Sequence, residues 1–415
     1  MAIDIIPFLG YLILFCFLIT RIPFYKKSGI GGWLLVCLFL IKVTVGVLYG
    51  LYFNLPSQRA GADTWRFYRE SIPETQILLH QPLLFIKSLF VNNYQESNGL
   101  LASTNSYWND LKDNIIIKLV AICNVFTHNN YYSDVIFFNF IYFFGLVAFY
   151  RVVKSYCNAN KFLLLFPIFL MPSFLFWGSG IHKDGLLFSA LGVVLYCLNQ
   201  IIQKRKKTIY CIALIICFPI LFFIKIYLAV FLIPAFVAWW LAERNQQRQQ
   251  IYFLSVYLAC FLLLIGVSLL GDHYNILNYV VDKHRAFSLL NGNSAIKVPL
   301  LNPTLGSAVH YLPTAIDIAF IRPHISEIKN AAYALAFVET IMNALLILVA
   351  LWFIRKQKTT PTFFLFCFYF AISVLLLDGY TVTFTGAIVR YRSLMLPLIM
   401  APIVGMIPFK ARQKG

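Results

Sequence analysis

The chain has 415 residues, of which 60% are hydrophobic, 17% aromatic and only 12% charged. A soluble globular domain carries about a quarter of its residues as charges. This composition therefore excludes a soluble enzyme, a disulfide scaffold and a disordered protein, and leaves a polytopic membrane protein. Lys and Arg outnumber Asp and Glu by 34 to 16, a net charge of +18 that either a membrane or a polyanion could explain.

Eleven apolar stretches are candidates for membrane-spanning helices, since about 20 apolar residues cross the hydrocarbon core. The region 209–242 is divided in two because 34 residues are too long for one crossing, and Lys225 marks the turn. The fold predicted is an all-α polytopic membrane protein, one integral domain over 1–415. The eleven candidates are 3–19, 33–53, 135–150, 162–177, 186–202, 209–224, 226–242, 251–270, 333–353, 363–377 and 394–408.

Basic residues concentrate in every second connection between these stretches. Six such segments together contain 18 of the 34 Lys and Arg, and a single acid, Glu243. Lys and Arg in short loops stay cytoplasmic, so the amino terminus is predicted outside and the carboxyl terminus in the cytoplasm. The charge excess faces the anionic inner leaflet, and no nucleic-acid partner is expected. The segments are 20–32, 151–161, 203–208, 243–250, 354–362 and 409–415.

Two large loops remain for the outer side. The first contains two amphipathic stretches, 78–91 and 115–126, that are too short to span. We expect each to lie in the membrane interface as a helix, with Lys87 or Lys118 turned toward the headgroups. The two large outer loops are 54–134 and 271–332.

The first candidate site, Gly-Ala-Asp-Thr-Trp-Arg-Phe-Tyr-Arg-Glu at 61–70, follows the second predicted span. Asp63, Arg66 and Glu70 are spaced i, i+3 and i+7, which predicts one face of a helix. A carboxylate at the boundary between water and membrane can act as a general base toward a hydroxyl. It can equally bind a divalent cation or cap a helix, and the sequence leaves these alternatives for Asp63 open.

The second candidate site is the turn Phe-Trp-Gly-Ser-Gly-Ile-His-Lys-Asp-Gly at 176–185, between two predicted spans. His182, Lys183 and Asp184 offer a donor, a cation and a carboxylate beside three glycines. The glycines would let the backbone approach a ligand closely, or would only close a tight turn. Asp184 is expected near the start of the next helix, where its charge complements the helix dipole.

Arg390 and Arg392 are predicted in an outer turn, 378–393, against the general trend of the basic residues. Guanidinium groups bind phosphate bidentately, so these two residues and Arg322, near the end of the second large loop, are candidate phosphate ligands. Snorkelling to outer headgroups is the alternative. Glu339, inside a predicted span, is expected to have a basic partner, Arg322 or Arg390.

The layout resembles that of bacterial polytopic glycosyltransferases of the GT-C type and of the related polysaccharide polymerases and ligases. The resemblance covers the many helices and a long first outer loop with an acid near its start. Arg-Tyr-Arg at 390–392, followed by Pro397, is similar to an R-Y-R…P segment of such proteins, and 179–185 looks like an S-G-x-x-K-D turn of envelope membrane proteins. Two departures are that Asp63 follows the second span and has no adjacent carboxylate.

The resemblance implies transfer of a sugar or glycan from a polyprenyl-phosphate-linked donor to a glycan, lipid or protein acceptor, at the outer (periplasmic) face of the bacterial cytoplasmic membrane. It implies that Asp63 and Asp184 are catalytic, and that a Mg²⁺ or Mn²⁺ ion, if one is used, is held by Asp63. The alternatives are a flippase of lipid-linked sugars and a non-catalytic envelope assembly subunit. The expected substrate-binding residues are Arg66, Glu70, His182, Lys183, Arg322, Arg390 and Arg392.

Overall fold

Helices form nearly all the regular structure of the chain. The computed structural model describes residues 4–56, 58, 63–90, 107–157, 159–204, 208–268, 270–271, 275–290, 294–354 and 360–407. Within these residues, extended backbone pairs at one isolated antiparallel bridge, between Ala295 and Phe384. The described chain is therefore all-α, as the composition predicts.

Eighteen α-helices occur in the described part of the chain. They are α1 (Ile5–Arg21), α2 (Pro23–Lys26), α3 (Gly32–Phe53), α4 (Asp63–His80), α5 (Pro82–Lys87), α6 (Tyr107–Thr127), α7 (Tyr131–Tyr156), α8 (Lys161–Leu165), α9 (Pro172–Trp177), α10 (Lys183–Ile202), α11 (Thr208–Ile224), α12 (Ile226–Arg244), α13 (Gln249–Ser268), α14 (Ile276–Ser288), α15 (Leu305–Ile316), α16 (Ala331–Ile354), α17 (Thr362–Thr381) and α18 (Thr385–Gly405).

Eight helices of the described chain are long and apolar enough to cross a membrane: α3, α7, α10, α12, α13, α16, α17 and α18. They overlap eight of the eleven predicted spans. Two more predicted spans correspond to the shorter apolar helices α1 and α11, of 17 residues each. Lys225 lies between α11 and α12, so the helix is interrupted at the residue where the sequence predicted a turn.

The predicted span 162–177 is interrupted. It consists of α8, a π-helical turn at Phe166–Leu170, and α9, with Met171 in extended conformation between the last two. Proline disfavours helical backbone at the residue before it, and Pro172 follows Met171. The composition of this apolar run therefore predicts one span, but the run folds as separate short helices.

The chain divides into two compact units. Unit 1 contains residues 1–152 and 175–226, and unit 2 contains residues 153–174 and 227–415. Each unit is built from two separate stretches of the sequence. The description of the chain as one integral domain stays a prediction.

In unit 1, α7 and α10 approach each other through small residues. A methyl group added at Gly192 would overlap the carbonyl of Gly145, and one added at Gly145 would overlap the backbone of Ser189. The Ser189 hydroxyl donates to the Ile141 carbonyl at 2.8 Å. Small residues that allow close backbone contact are typical of helix pairs inside membranes.

In unit 1, the segment 54–134, predicted to be the first outer loop, contains α4, α5 and α6. The predicted interfacial stretch 115–126 lies within α6, whose residues Ile116 and Val120 are buried. The Lys118 ammonium donates to Glu74 at 2.8 Å and to Ser88 at 2.9 Å, so the expectation that Lys118 faces headgroups is wrong. The apolar face of α6 packs against protein, and its lysine is paired there.

The stretch 78–91 contains the end of α4, α5 and a 3-10 turn, Ser88–Phe90. Leu83, Leu84 and Ile86 of α5 are exposed. Exposed apolar side chains on a short helix outside the candidate spans agree with a position in the membrane interface.

In unit 2, the segment 271–332, predicted to be the second outer loop, contacts the junction between α17 and α18. The Ile296 amide donates to the Thr383 carbonyl at 2.8 Å, and the Thr385 amide donates to the Ser294 carbonyl at 2.9 Å. On α14, Nδ1 of His284 lies 2.9 Å from the Tyr380 carbonyl. These contacts join residues 284–296 to the C-terminal end of α17 and the N-terminal end of α18.

The connection between α17 and α18 is shorter than predicted. Because α17 ends at Thr381 and α18 begins at Thr385, the outer turn is only 382–384. Arg390 and Arg392 therefore lie within α18, and the expectation of an arginine-bearing turn over 378–393 is corrected. The arginines lower the hydropathy of this stretch, but arginine is a good helix former.

We expect the substitution Gly192→Ala to destabilise unit 1 by about 1–3 kcal/mol, because its methyl group overpacks the contact with α7. Thermal unfolding of the purified protein in detergent measures this loss. Gly266→Ala, on α13 with nothing within 4 Å of the added methyl group, is the matched control. Equal unfolding temperatures for the two variants would contradict the close packing.

Burial lowers the pKa of His284, and its hydrogen bond to the Tyr380 carbonyl opposes that shift. The folded state therefore favours the neutral ring, while the unfolded state takes up a proton near the ordinary pKa of about 6.5. The free energy of unfolding is therefore greatest above this pH and decreases as the pH falls below it, because the unfolded state then binds the proton more readily. Unfolding temperatures at pH 7.5 and 5.5 should differ less in His284→Gln than in the wild type, and His80→Gln, at an exposed position, should leave the difference unchanged.

Candidate functional site

Seven ionisable side chains of unit 1 form one connected network, here called the charge cluster. Its acids come from α4, α6 and α10, and its cations from α4, from α10 and from the turn between α11 and α12. All except two were singled out from the sequence as site residues. The members are Asp63, Arg66, Asp113, His182, Lys183, Asp184 and Lys225.

The N-terminus of α10 places the centre of the cluster. His182 is the N-cap residue, and its Nδ1 accepts a hydrogen bond from the Asp184 amide at 3.3 Å. Asp184 lies in the first turn, as predicted, where the helix dipole favours its negative charge. Its carboxylate is 3.2 Å from Nδ1 of His182, and both side chains are at least 96% buried.

Asp63 approaches the other side of the same imidazole. Its carboxylate lies 3.6 Å from Nε2 of His182 and 3.7 Å from the Arg66 guanidinium. The Asp63 side chain is 39% exposed, whereas that of His182 is 1% exposed. The imidazole therefore lies between a buried carboxylate and one that solvent or a ligand can reach.

Asp113 connects the two candidate sites found in the sequence. One of its carboxylate oxygens binds Arg66 of the first site, and the other binds Lys183 of the second. The sequence analysis missed Asp113. The available signal was an acid at the start of the amphipathic stretch 115–126, which predicts a helix but not its partners.

Lys225 completes the cluster. Its ammonium lies 3.7 Å from Asp184, and its side chain is mostly buried. A buried carboxylate is stable only when it is paired or hydrogen-bonded. Lys225 thus compensates the charge of Asp184 from the end of α11.

Glu70 lies on α4 as an exposed residue near this network. Partial burial raises the pKa of its carboxyl, and the nearby charge of Arg66 opposes that shift. The predicted helical face is observed, because Asp63 and Arg66 contact each other on α4 and Glu70 interacts electrostatically with both.

The glycines of the turn serve contacts within the protein. A methyl group at Gly180 would overlap the ring of Tyr49, and one at Gly185 would overlap the ring of Tyr142. The close approach that the sequence suggested is therefore an approach of these two aromatic rings.

The residues around Asp63 do not fit a Mg²⁺ or Mn²⁺ site. Both carboxylate oxygens of Asp113 are engaged by cations, and the charged neighbour of Asp63 on its own helix is the Arg66 guanidinium. Hard divalent cations need several oxygen ligands. Among the residues described, His, Cys, Asp and Glu form no group of three suited to a metal ion.

Unit 2 contains a second polar group around Arg322. Its Nε donates to Asp317 at 2.9 Å, and its Nη1 donates to Glu327 at 2.5 Å. His324 lies 2.8 Å from Asp317 through Nε2, and its amide donates to Glu327 at 2.8 Å. The Glu327 oxygen that accepts from Arg322 also accepts from the Thr385 hydroxyl at 3.2 Å. This hydrogen bond links the loop to the start of α18.

Arg392 is 6% exposed and is bound on two sides. Its Nη1 donates to the Arg322 carbonyl at 2.7 Å, and its Nη2 donates to the Thr340 hydroxyl at 2.8 Å. Glu339 accepts from the Ser173 amide at 3.1 Å and interacts electrostatically with Arg392. Arg390 is partly exposed.

The predicted site residues thus fall into two groups, six in unit 1 and three in unit 2. The structure brings Asp63, Arg66, His182, Lys183 and Asp184 into the charge cluster, with Glu70 beside it. Arg322 and Arg392 are linked through a hydrogen bond in unit 2, where Arg390 lies on the same helix as Arg392.

The all-α fold and the eight candidate spans of the described residues indicate a multi-pass membrane protein, and unit 1 contains the charge cluster. Comparisons of the chain with protein-family models, with curated proteins and with solved structures found no match. The function is therefore argued from the cluster itself.

Replacement of Asp113 by Asn should destabilise unit 1 by about 1–3 kcal/mol, because two partly buried cations lose their carboxylate partner. The unfolding temperature of the purified variant measures this effect. Asp282→Asn, at an exposed position on α14, removes the same charge and should change it little. If both variants have the unfolding temperature of the wild type, Asp113 does not bridge Arg66 and Lys183.

Proposed function

We propose that the chain transfers a sugar or glycan from a polyprenyl-phosphate-linked donor to an acceptor in cell-envelope polysaccharide or glycoconjugate assembly. The proposed acceptor is a hydroxyl of a glycan, lipid or protein. The proposed location is the bacterial cytoplasmic membrane, crossed eleven times, with the amino terminus and the charge cluster on the periplasmic side.

The observation that carries the proposal is the arrangement of Asp63, His182 and Asp184. Asp63 is accessible, and the imidazole behind it is held by a buried carboxylate. A carboxylate in such a position can act as a general base. The Asp184 amide donates to Nδ1 of the imidazole, and the buried Asp184 carboxylate lies 3.2 Å from the same nitrogen, so Asp184 holds the imidazole beside Asp63.

In the proposed reaction, Asp63 takes the proton from the acceptor hydroxyl as its oxygen attacks the anomeric carbon. The bond between that carbon and the phosphate oxygen breaks, and its electron pair leaves on the lipid phosphate. A single displacement of this kind inverts the anomeric centre. The products are the glycosylated acceptor and the lipid phosphate.

Arg66 and Lys183 are the cations proposed to stabilise the departing phosphate, because Arg66 lies 3.7 Å from Asp63 and Asp113 holds Lys183 beside Arg66. Preorganised charges stabilise a developing anion without reorganisation during the reaction. Arg66, Lys183 and Lys225 are three cations that balance the three carboxylates of the cluster. The cluster therefore presents no net negative charge to an anionic donor.

The orientation proposed for the cluster follows from the helix ends. The cluster gathers residues near the start of α10 and the end of α11. In the predicted topology both ends are periplasmic, since the basic segments 151–161 and 203–208 are cytoplasmic. A lipid carrier would reach the cluster laterally from the outer leaflet.

A flippase of lipid-linked sugars is the second candidate. The observation that favours it is the burial of Glu339 and Arg392, which interact electrostatically, within the candidate spans α16 and α18. Ionisable residues inside spans mark transport pathways as well as catalytic sites. The experiment that separates the two functions detects release of lipid phosphate.

The purified protein should release lipid phosphate from a polyprenyl-phosphate-linked sugar when an acceptor is present. Asp63→Asn should lower the rate by about 10²–10⁴-fold, the usual contribution of a general base, and Asp184→Asn should lower it less. Asp282→Asn, at an exposed position on α14 and outside the charge cluster, is the control for a lost carboxylate and should stay close to the wild type.

Movement of the intact lipid-linked sugar across vesicles without release of lipid phosphate would favour the flippase. Wild-type rates in the Asp63 variant would contradict a catalytic role for this carboxylate. Glycan profiles of cells carrying each variant as their single copy give an independent measurement of the same loss.

A further inference from the structure

Lys42 is a buried cation near the middle of the candidate span α3. The residue is 3% exposed. A charged side chain at this depth is costly and is usually retained for a function. Neither the predicted topology nor the reaction proposed above accounts for it.

The Lys42 ammonium contacts the turn that leads to α10. It donates to the Gly178 carbonyl and, at 3.1 Å, to the Ser179 hydroxyl. It also lies 5.6 Å from the centre of the Tyr142 ring, within range of a cation–π interaction. None of the ion pairs found in the described chain involves Lys42, so its partners are the turn and an aromatic ring.

Two side chains of α7 bind the same turn. The Asn139 amide donates to the Ser179 carbonyl at 2.7 Å, and the Tyr142 hydroxyl donates to the His182 carbonyl at 2.8 Å. On α3, one turn after Lys42, Gly46 leaves room for this backbone, since an added methyl group would lie 2.5 Å from the Ser179 carbonyl. The backbone of 178–182 is therefore held from two helices immediately before the cluster residues.

We propose that Lys42 is a positioning residue for the charge cluster. Its ammonium anchors the turn 178–182. The position of this turn then sets the distance between His182 and Asp63. This inference rests on the proposed function, because positioning is expressed as a rate of glycan transfer. A methionine would fill the same volume but would donate no hydrogen bond to the turn.

The test compares Lys42→Met and Lys42→Arg with the wild type in lipid nanodiscs, using the lipid phosphate release assay. We expect Lys42→Met to lower kcat at least tenfold with KM changed less than twofold, because the reacting groups are misplaced while the donor still binds. Lys42→Arg keeps a donor and should restore part of kcat. Amide hydrogen exchange of 178–185 should be faster in Lys42→Met.

A second pair of variants guards against a folding defect at Lys42. Gly46→Ala displaces the same turn without removing the ammonium and should lower kcat, while Gly10→Ala, with nothing within 4 Å of the new methyl group, should not. Tyr142→Phe removes only the hydrogen bond to the His182 carbonyl and, like Gly46→Ala, should lower kcat.

Wild-type kcat and wild-type exchange in Lys42→Met would overturn the inference. So would a loss of kcat that arginine does not restore and that leaves exchange of 178–185 unchanged. If the wild-type protein releases no lipid phosphate, the proposed function fails, and the exchange measurement alone then decides whether Lys42 anchors the turn.

Discussion

The structure of unit 1 depends on compensating ionised groups that are withdrawn from water. A buried carboxylate or ammonium is strongly unfavourable unless it is paired or hydrogen-bonded. In the charge cluster each acid meets a cation or an imidazole, and Asp184 has in addition the N-terminus of α10. The partners come from α4, α6 and the end of α11. The requirement of charge balance therefore joins helices that are distant in the sequence at one point.

Unit 2 satisfies the same requirement by different means. Arg392 is bound by a carbonyl and a hydroxyl, and Arg322 is held between two carboxylates. A phosphate bound at Arg322 would have to displace Asp317 or Glu327 from the guanidinium. The observed contacts thus give both arginines a role in holding the second outer loop against α18. Arg390, on the same helix as Arg392, is the partly exposed arginine of this group.

The features that were predictable from the sequence are those set by local pattern. Apolar runs predicted eight of the long helices, and the charge at Lys225 marked the break between α11 and α12. The break at Met171 and the shorter connection before α18 were missed, because hydropathy records composition and not backbone conformation. Lys118 was misplaced because amphipathicity does not distinguish a lipid surface from another helix. Asp113 was missed because its partners are 47 and 70 residues away, a separation that no local spacing encodes.

The turn before α10 shows how an accessible site can be held from its buried side. Its glycines make room for the rings of Tyr49 and Tyr142, and its carbonyls accept hydrogen bonds from Lys42, Asn139 and Tyr142. These contacts leave the side chains of His182, Lys183 and Asp184 on the side of Asp63 and Asp113. A site of this kind is more accurately placed than one on a free loop, because packing and hydrogen bonds restrict its backbone. Buried side chains of α3 and α7 thereby set the geometry of groups that these two helices do not themselves contribute.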